Sequence, residues 1–196
     1  YSAAFEAIYP NERHRRQYID DAISKGTPSF AHRALAALMS SKQLSCVFTT
    51  NFDPLVETSA TLTDQLLPPD RRALPTVAAL DSADRAQRCV AESDWPLIAK
   101  LHGDYQSMAI KNTGSELEHQ DERMRTVLIE ACKRFGLVVV GYSGRDASIM
   151  EALESVLRHS PAYPSGLYWV TSSKSKLMPA VHRLLENASI AGVDVA

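Results

Sequence analysis

Short apolar runs alternate with longer helical stretches along most of this chain, and that alternation constrains its fold more than any other feature. Strands are expected at 45–50, 76–80, 97–101, 137–141, 167–171 and 190–195, where brief runs of Val, Ile, Leu and aromatic residues lie between helical stretches. Helices are expected between them at 54–62, 82–92, 115–135, 147–159 and 177–187. Three more open the chain: 1–8, ended by Pro10; a second from the Asn11 cap to about Lys25; and 29–41 after Pro28, with Phe30, Ala34, Leu35 and Leu38 spaced as one apolar face. Strands that alternate with helices predict an α/β fold, a doubly wound, mostly parallel sheet of Rossmann-like type with helices on both faces.

The helix at 115–135 has the fullest sequence support. Ser115 and Glu118 are spaced as a capping box, and Leu117, Met124, Val127, Leu128, Ala131 and Phe135 recur at helical intervals. Gly136 stops it, and the unbroken apolar run 137–140 predicts a strand buried on both faces. Residues 63–74, rich in Pro, Asp and Arg, predict a surface excursion.

With 196 residues, 45% of them hydrophobic, the chain suits one soluble globular domain. A net charge of −2 gives no basis for binding nucleic acid or an anionic membrane. No apolar run is long enough to cross a bilayer, and no signal peptide is visible. The three cysteines, Cys46, Cys89 and Cys132, are far apart, which rules out a four-cysteine zinc site, disfavours a disulfide framework and suits a cytoplasmic location. Because residue 1 is Tyr and the last residues read as strand, a segment of a longer protein is expected.

Three expected strands end in polar clusters: Thr49-Thr50-Asn51-Phe52-Asp53, His102-Gly103-Asp104 after Leu101, and Gly141-Tyr142-Ser143-Gly144-Arg145-Asp146. In an open parallel sheet, ligands bind beyond the carboxyl ends of the strands, so an amide, an imidazole and a glycine-flanked hydroxyl are expected to line one crevice. Each cluster also has a structural explanation. Asp53 before Pro54 is a good helix cap, and Asn51 can satisfy backbone groups in a tight turn. His102 can pair within the core, although Gly103 beside it permits close approach by a ligand. The Gly141–Gly144 turn can simply join strand to helix, or present backbone N–H groups to a phosphate.

Other candidates carry less. Arg13, His14, Arg15 and Arg16 are flanked by Glu12, Asp20 and Asp21, the pattern of a solvated helix face. His14, His119, His159 and His182 lack metal-ligand spacing, and no serine sits in a nucleophile elbow.

In combination these segments resemble the sirtuin fold, and in particular the zinc-free sirtuin-like domains of bacterial anti-phage defence proteins. Residues 28–35 are similar to the helix preceding the family's first motif. Thr49-Thr50-Asn51-Phe52-Asp53 resembles its Thr-x-Asn-x-Asp motif, Leu101-His102-Gly103-Asp104 its catalytic His-Gly, and Gly141-Tyr142-Ser143 with Asp146 a later segment that contacts NAD. The likeness runs over about 5–172. It implies catalytic roles for Asn51, His102 and Asp53, and NAD-binding roles for Thr49, Thr50, Gly103, Gly141, Tyr142, Ser143 and Asp146.

The family's first strand, with its Gly-Ala-Gly-x-Ser turn, has no match here, so that strand is expected outside this segment. The absence of a four-cysteine module favours the branch that hydrolyses NAD to nicotinamide and ADP-ribose, without zinc. The resemblance further implies a regulated effector that works as a homo-oligomer or with a sensor domain. NAD-dependent protein deacylation and non-catalytic sensing of NAD or ADP-ribose are the alternatives.

Overall fold

The computed structural model describes residues 7–51, 53–101, 114–173 and 176–196. Two helices lead in, α1 (Glu12–Ser24) and α2 (Phe30–Ser40). Then follow β1 (Cys46–Thr49), α3 (Leu55–Leu66), β2 (Thr76–Ala78), α4 (Ala83–Glu92), β3 (Leu97–Lys100), α5 (Gly114–Cys132), β4 (Leu137–Val140), α6 (Ala147–Val156), β5 (Leu167–Val170) and α7 (Pro179–Ile190). Local chemistry sets several of these boundaries. Asn11 caps α1 by accepting the Arg13 N–H at 2.8 Å, and the Ser29 N–H donates to His32 Nδ1 at 3.1 Å at the start of α2.

Every strand pairing is parallel, and helices flank the sheets, so the fold is α/β as the alternation predicts. Among the described residues the strands form two sheets, β2-β3-β1 and β4-β5. In the register of the first, Thr49 stands beside Lys100 and Ala78 beside Ala99. One face of this sheet packs Ile98 against Ala36 and Met39 of α2 and Val56 and Ala60 of α3. Leu97, Ala99 and Leu101 belong to the larger core with Met124, Val127 and Leu128 of α5 and Ile149, Leu153 and Val156 of α6. The alternation along β3 therefore serves two helical layers, which is why its four residues are all buried.

The outer edge of β5 is occupied by 194–196: the Leu167 N–H donates to the Asp194 carbonyl and the Trp169 N–H to that of Ala196, both at 2.8 Å. Among the described residues, β1 has no strand partner opposite β3, and β4 none opposite β5.

Four expectations need correction. The expected strand at 190–195 shrinks to an isolated bridge between Leu167 and Val195, because α7 runs on through Ile190. In β4, Val138 and Val140 are 60% and 70% exposed, since only the Leu137–Val139 side of the strand packs on the core. On α2 it is Ala36 and Met39 that turn inward, leaving Phe30 and Leu38 exposed. Residues 63–66 continue α3, and the excursion that follows is anchored by Asp64, which is buried and accepts the Ala73 N–H at 3.0 Å. Helix 1–8 is described only at its last two residues, and the Ser115–Glu118 capping box lies outside the described side chains.

Candidate active site at the carboxyl ends of the strands

Strands β1 and β3 end side by side. The Leu101 N–H donates to the Thr49 carbonyl at 2.8 Å, which carries the ladder one step past the last residue of β3. The chain then leaves both strands at the same level. On the β1 side the Asn51 N–H donates to Thr49 Oγ1 at 3.0 Å, closing a short turn that holds the Asn51 side chain out in solvent. Two residues on, Asp53 accepts the Leu55 N–H at 3.1 Å, so its carboxylate serves the first turn of α3, as one of the two sequence readings has it. His102, Gly103, Asp104 and Phe52 lie outside the described residues; their neighbour Leu101 is buried.

The third polar cluster follows β4. Gly141 and Gly144 both have positive φ, +71° and +75°. A Cβ on Gly141 would meet nothing within 4 Å, whereas one on Gly144 would come within 2.4 Å of Val181 Cγ2. Gly144 is thus a packing requirement of the turn, and Gly141 leaves the backbone open to approach. Ser143 is exposed. Asp146 caps α6: its Oδ1 accepts the N–H groups of Ser148 and Ile149 at 3.0 and 3.2 Å and the Ser148 hydroxyl at 2.9 Å.

A groove of about 270 Å³ runs between the free edges of β1 and β4. Consecutive residues line each wall, Phe48 to Asn51 on one side and Leu137 to Tyr142 on the other, so the walls are strand edges rather than sheet faces. Leu101, Leu128, Ile149 and Leu153 contribute further apolar lining. Thr49, Thr50, Asn51, Gly141 and Tyr142 are brought together here; Asp53, Ser143 and Asp146 are not among the lining residues. The volume lies just below the ~300–1,000 Å³ common for small-molecule sites.

Tyr142 supplies an unused donor. Burial first, and then the nearby Asp146 carboxylate, push its phenol up to about 12, so the group stays protonated at neutral pH. The hydroxyl is buried beside the Asp146 backbone, whose pull on the oxygen partly offsets the upward shift, and no group among the described residues meets it at full hydrogen-bond geometry. A buried hydroxyl without a partner costs free energy, and a polar ligand would relieve that cost. Beside it, the Gly141 backbone is open to approach, so this wall of the groove offers a hydroxyl and an uncovered stretch of main chain. The thiols offer no comparable reactivity. Cys46, Cys89 and Cys132 are unbridged, and burial raises all three, Cys46 to about 12 and Cys89 to about 11. Among the described residues, no cluster of three His, Cys, Asp or Glu side chains is placed to hold a metal ion, and no helix is long and apolar enough to cross a membrane.

Parallel strands flanked by helices, with polar strand ends along one groove, define the class of open α/β domains that bind ligands beyond the sheet's carboxyl edge. Within that class, the chain belongs to the SIR2-like domain family, whose model matches residues 45–191. The match begins immediately before β1 and contains every residue of the candidate site. No curated protein matches the chain. Membership fits an NAD-related activity, and NAD is the ligand that domains of this family bind.

The sequence reading missed two residues beside the site, Lys100 and Glu57. Lys100 is fully buried and its Nζ lies 2.9 Å from Glu57 Oε1. The available signal was a lysine inside the apolar run Leu-Ile-Ala-Lys-Leu, at a position whose alternation points into the core.

Proposed function

We propose that this domain hydrolyses NAD at the bond between nicotinamide and ribose, releasing nicotinamide and ADP-ribose. The observation that carries this reading is the convergence of Thr49–Asn51 and Gly141–Tyr142 on one groove, next to the strand end that leads into His102, in a SIR2-like domain.

Nicotinamide in NAD is a cationic leaving group, so its departure needs no proton. The electron pair of the C1′–N bond passes to the pyridinium nitrogen, and positive charge grows on the ribose. Catalysis then depends on stabilising that charge and aiming a water at C1′. The Asn51 amide has both a donor and an acceptor with which to hold the ribose and the water together. The His102 imidazole would take a proton from the water or a ribose hydroxyl. Asp53 adds negative potential at the start of α3. Tyr142 and the Gly141 backbone would hold the ribose–phosphate part, with Thr49, Thr50, Gly103, Ser143 and Asp146 around it.

The lower, apolar part of the groove suits a different guest. Among the described residues the facing edges of β1 and β4 have no ladder partners, and a strand between them would satisfy both rows. The glycine-rich strand implied by the sirtuin resemblance fits that slot and would bring its phosphate-binding turn to the rim beside Gly141. Residues 1–196 would then be one catalytic domain within a longer protein.

The resemblance extends the proposal to a cytoplasmic effector of bacterial defence that acts when it assembles or when a sensor domain releases it. A chain with three cysteines builds no four-cysteine zinc module of its own, which supports the zinc-free branch.

The test is nicotinamide release from NAD by the full-length protein, across protein concentrations and candidate activators, beside Asn51→Ala and His102→Ala. Release by the wild type alone supports the assignment. Tight NAD or ADP-ribose binding without release would replace it with a sensor, and release that requires an acyl-lysine peptide would replace it with a deacylase.

A further inference from the structure

Lys100 occupies a core position. Along β3, Ile98 packs into the cluster formed with α2 and α3, and Lys100, two residues on, projects to the same side of the sheet. Its side chain is 0% exposed and reaches Glu57 in the first turn of α3. The pair sits in poor company: Glu57 Oε2 is buried without a hydrogen bond, as is the hydroxyl of Ser59, which is itself 0% exposed.

Such an arrangement is hard to explain as a stabilising device. Taking two charges out of water costs several kcal/mol per ion, and apolar residues of similar volume are often neutral or better in such places. Registry between elements is the best attested use of a buried pair. Here the elements joined are the two that the candidate site depends on. Lys100 stands two residues before His102, and Glu57 stands in the first turn of the helix that the Asn51–Asp53 turn enters. The same strand ends are also tied through Thr49, which is Lys100's neighbour in the register and whose carbonyl accepts the Leu101 N–H.

We propose that Lys100 and Glu57 are positioning residues. Their ion pair fixes the first turn of α3 against the end of β3 and thereby sets where the Asn51 amide stands relative to that strand end. Neither touches the substrate; each acts through the segment it holds. The catalytic part of this inference rests on the NAD-hydrolase reading, whereas its geometric part does not.

The experiment compares the full-length wild type with Lys100→Met/Glu57→Leu, which removes both charges at similar volume, and with Glu57→Gln, which keeps the shape and a hydrogen-bond acceptor. Thermal unfolding, amide hydrogen exchange and steady-state NAD hydrolysis are measured on each. The double variant is expected to keep or raise its Tm, with the Asn51 and Leu55 amides exchanging about tenfold faster while the amides of β5 do not change. Its kcat is expected to fall roughly 10- to 100-fold with KM for NAD nearly constant, as misplacement of reacting groups predicts. Glu57→Gln is expected to move in the same direction by less, and it decides the matter if the double variant does not fold.

Wild-type exchange at Asn51 and Leu55 in the folded variants would overturn the positioning role. A loss of kcat that only follows a loss of Tm would reduce the pair to a stability element. If the wild type neither binds nor cleaves NAD, the hydrolase reading falls, and the exchange data alone still decide whether the pair holds the turn.

Discussion

Asn51 donates its backbone N–H to the hydroxyl of Thr49 at 3.0 Å, so the amide side chain at the end of β1 is held at the rim of the groove by its own strand. The strand ends in polar residues because its last carbonyl still serves the ladder with Leu101 while its next side chains have left the core. The expected consequences can each be measured.

Replacing Asn51 with Ala should separate activity from stability. The side chain is exposed, and exposed substitutions of this kind usually change stability by less than about 0.5 kcal/mol. Loss of a group that orients both ribose and water should lower nicotinamide release by about 100-fold or more. Parallel chromatography of nicotinamide and thermal unfolding check the two halves. A variant that unfolds early and keeps residual activity in proportion would contradict the assignment.

Asp53 has two possible duties, and two substitutions tell them apart. Asp53→Ala removes the acceptor for the Leu55 N–H and should cost about 1 kcal/mol, or roughly 2–4 °C in Tm for a domain of this size. Asp53→Asn keeps an acceptor and should restore most of that loss. If Asp53 also places negative potential at the ribose, Asp53→Asn will remain slow in NAD hydrolysis despite its recovered Tm. Full activity in Asp53→Asn would leave it a helix cap alone.

The two glycines of the β4–α6 turn should respond differently to a methyl group. Gly144→Ala combines a positive φ with a Cβ 2.4 Å from Val181, and should destabilise by at least about 2 kcal/mol in urea unfolding. Gly141→Ala carries the backbone penalty alone, about 1 kcal/mol, because its Cβ meets open space. Its main effect should be on NAD affinity, read by calorimetric titration. Equal stability losses for the two would show that the turn is packed otherwise.

Alkaline pH should weaken the fold in part through Cys46. Burial, reinforced by neighbouring Cys89, raises its thiol from 9.0 to about 12. Below 9 both folded and unfolded chains keep the proton, and the contribution is intact. Between 9 and about 12 the unfolded chain releases a proton that the folded chain retains, so stability falls as pH rises. Urea midpoints at about pH 8 and about pH 10.5 should therefore drop less for Cys46→Ala than for the wild type. An identical drop would remove Cys46 from the account.

Five of the six expected strands could be read from the chain because each is a short apolar run bounded by residues that break it, a purely local signal. The caps were readable for the same reason: Asn11 and Asp53 act on amides two residues away. Burial was less readable. The run Leu137–Val140 is apolar on both sides, yet half of it is exposed, because what covers a strand face is decided by elements distant in sequence. The inward side of α2 was misjudged likewise, since its sequence offers apolar residues around much of the helix and only packing against α3 selects Ala36 and Met39.

The sequence by itself determined which elements form, that they pair in parallel, and that three strand ends carry polar groups, since propensity, periodicity and capping act within a few residues. Only the tertiary structure decided the neighbours. It set β1 beside β3, divided the described strands so that the edges of β1 and β4 face one groove, and gave the inward-pointing Lys100 Glu57 as its partner. Those outcomes depend on which distant surfaces exclude water together and on which charges are then left to find each other, and no local pattern in the chain encodes that.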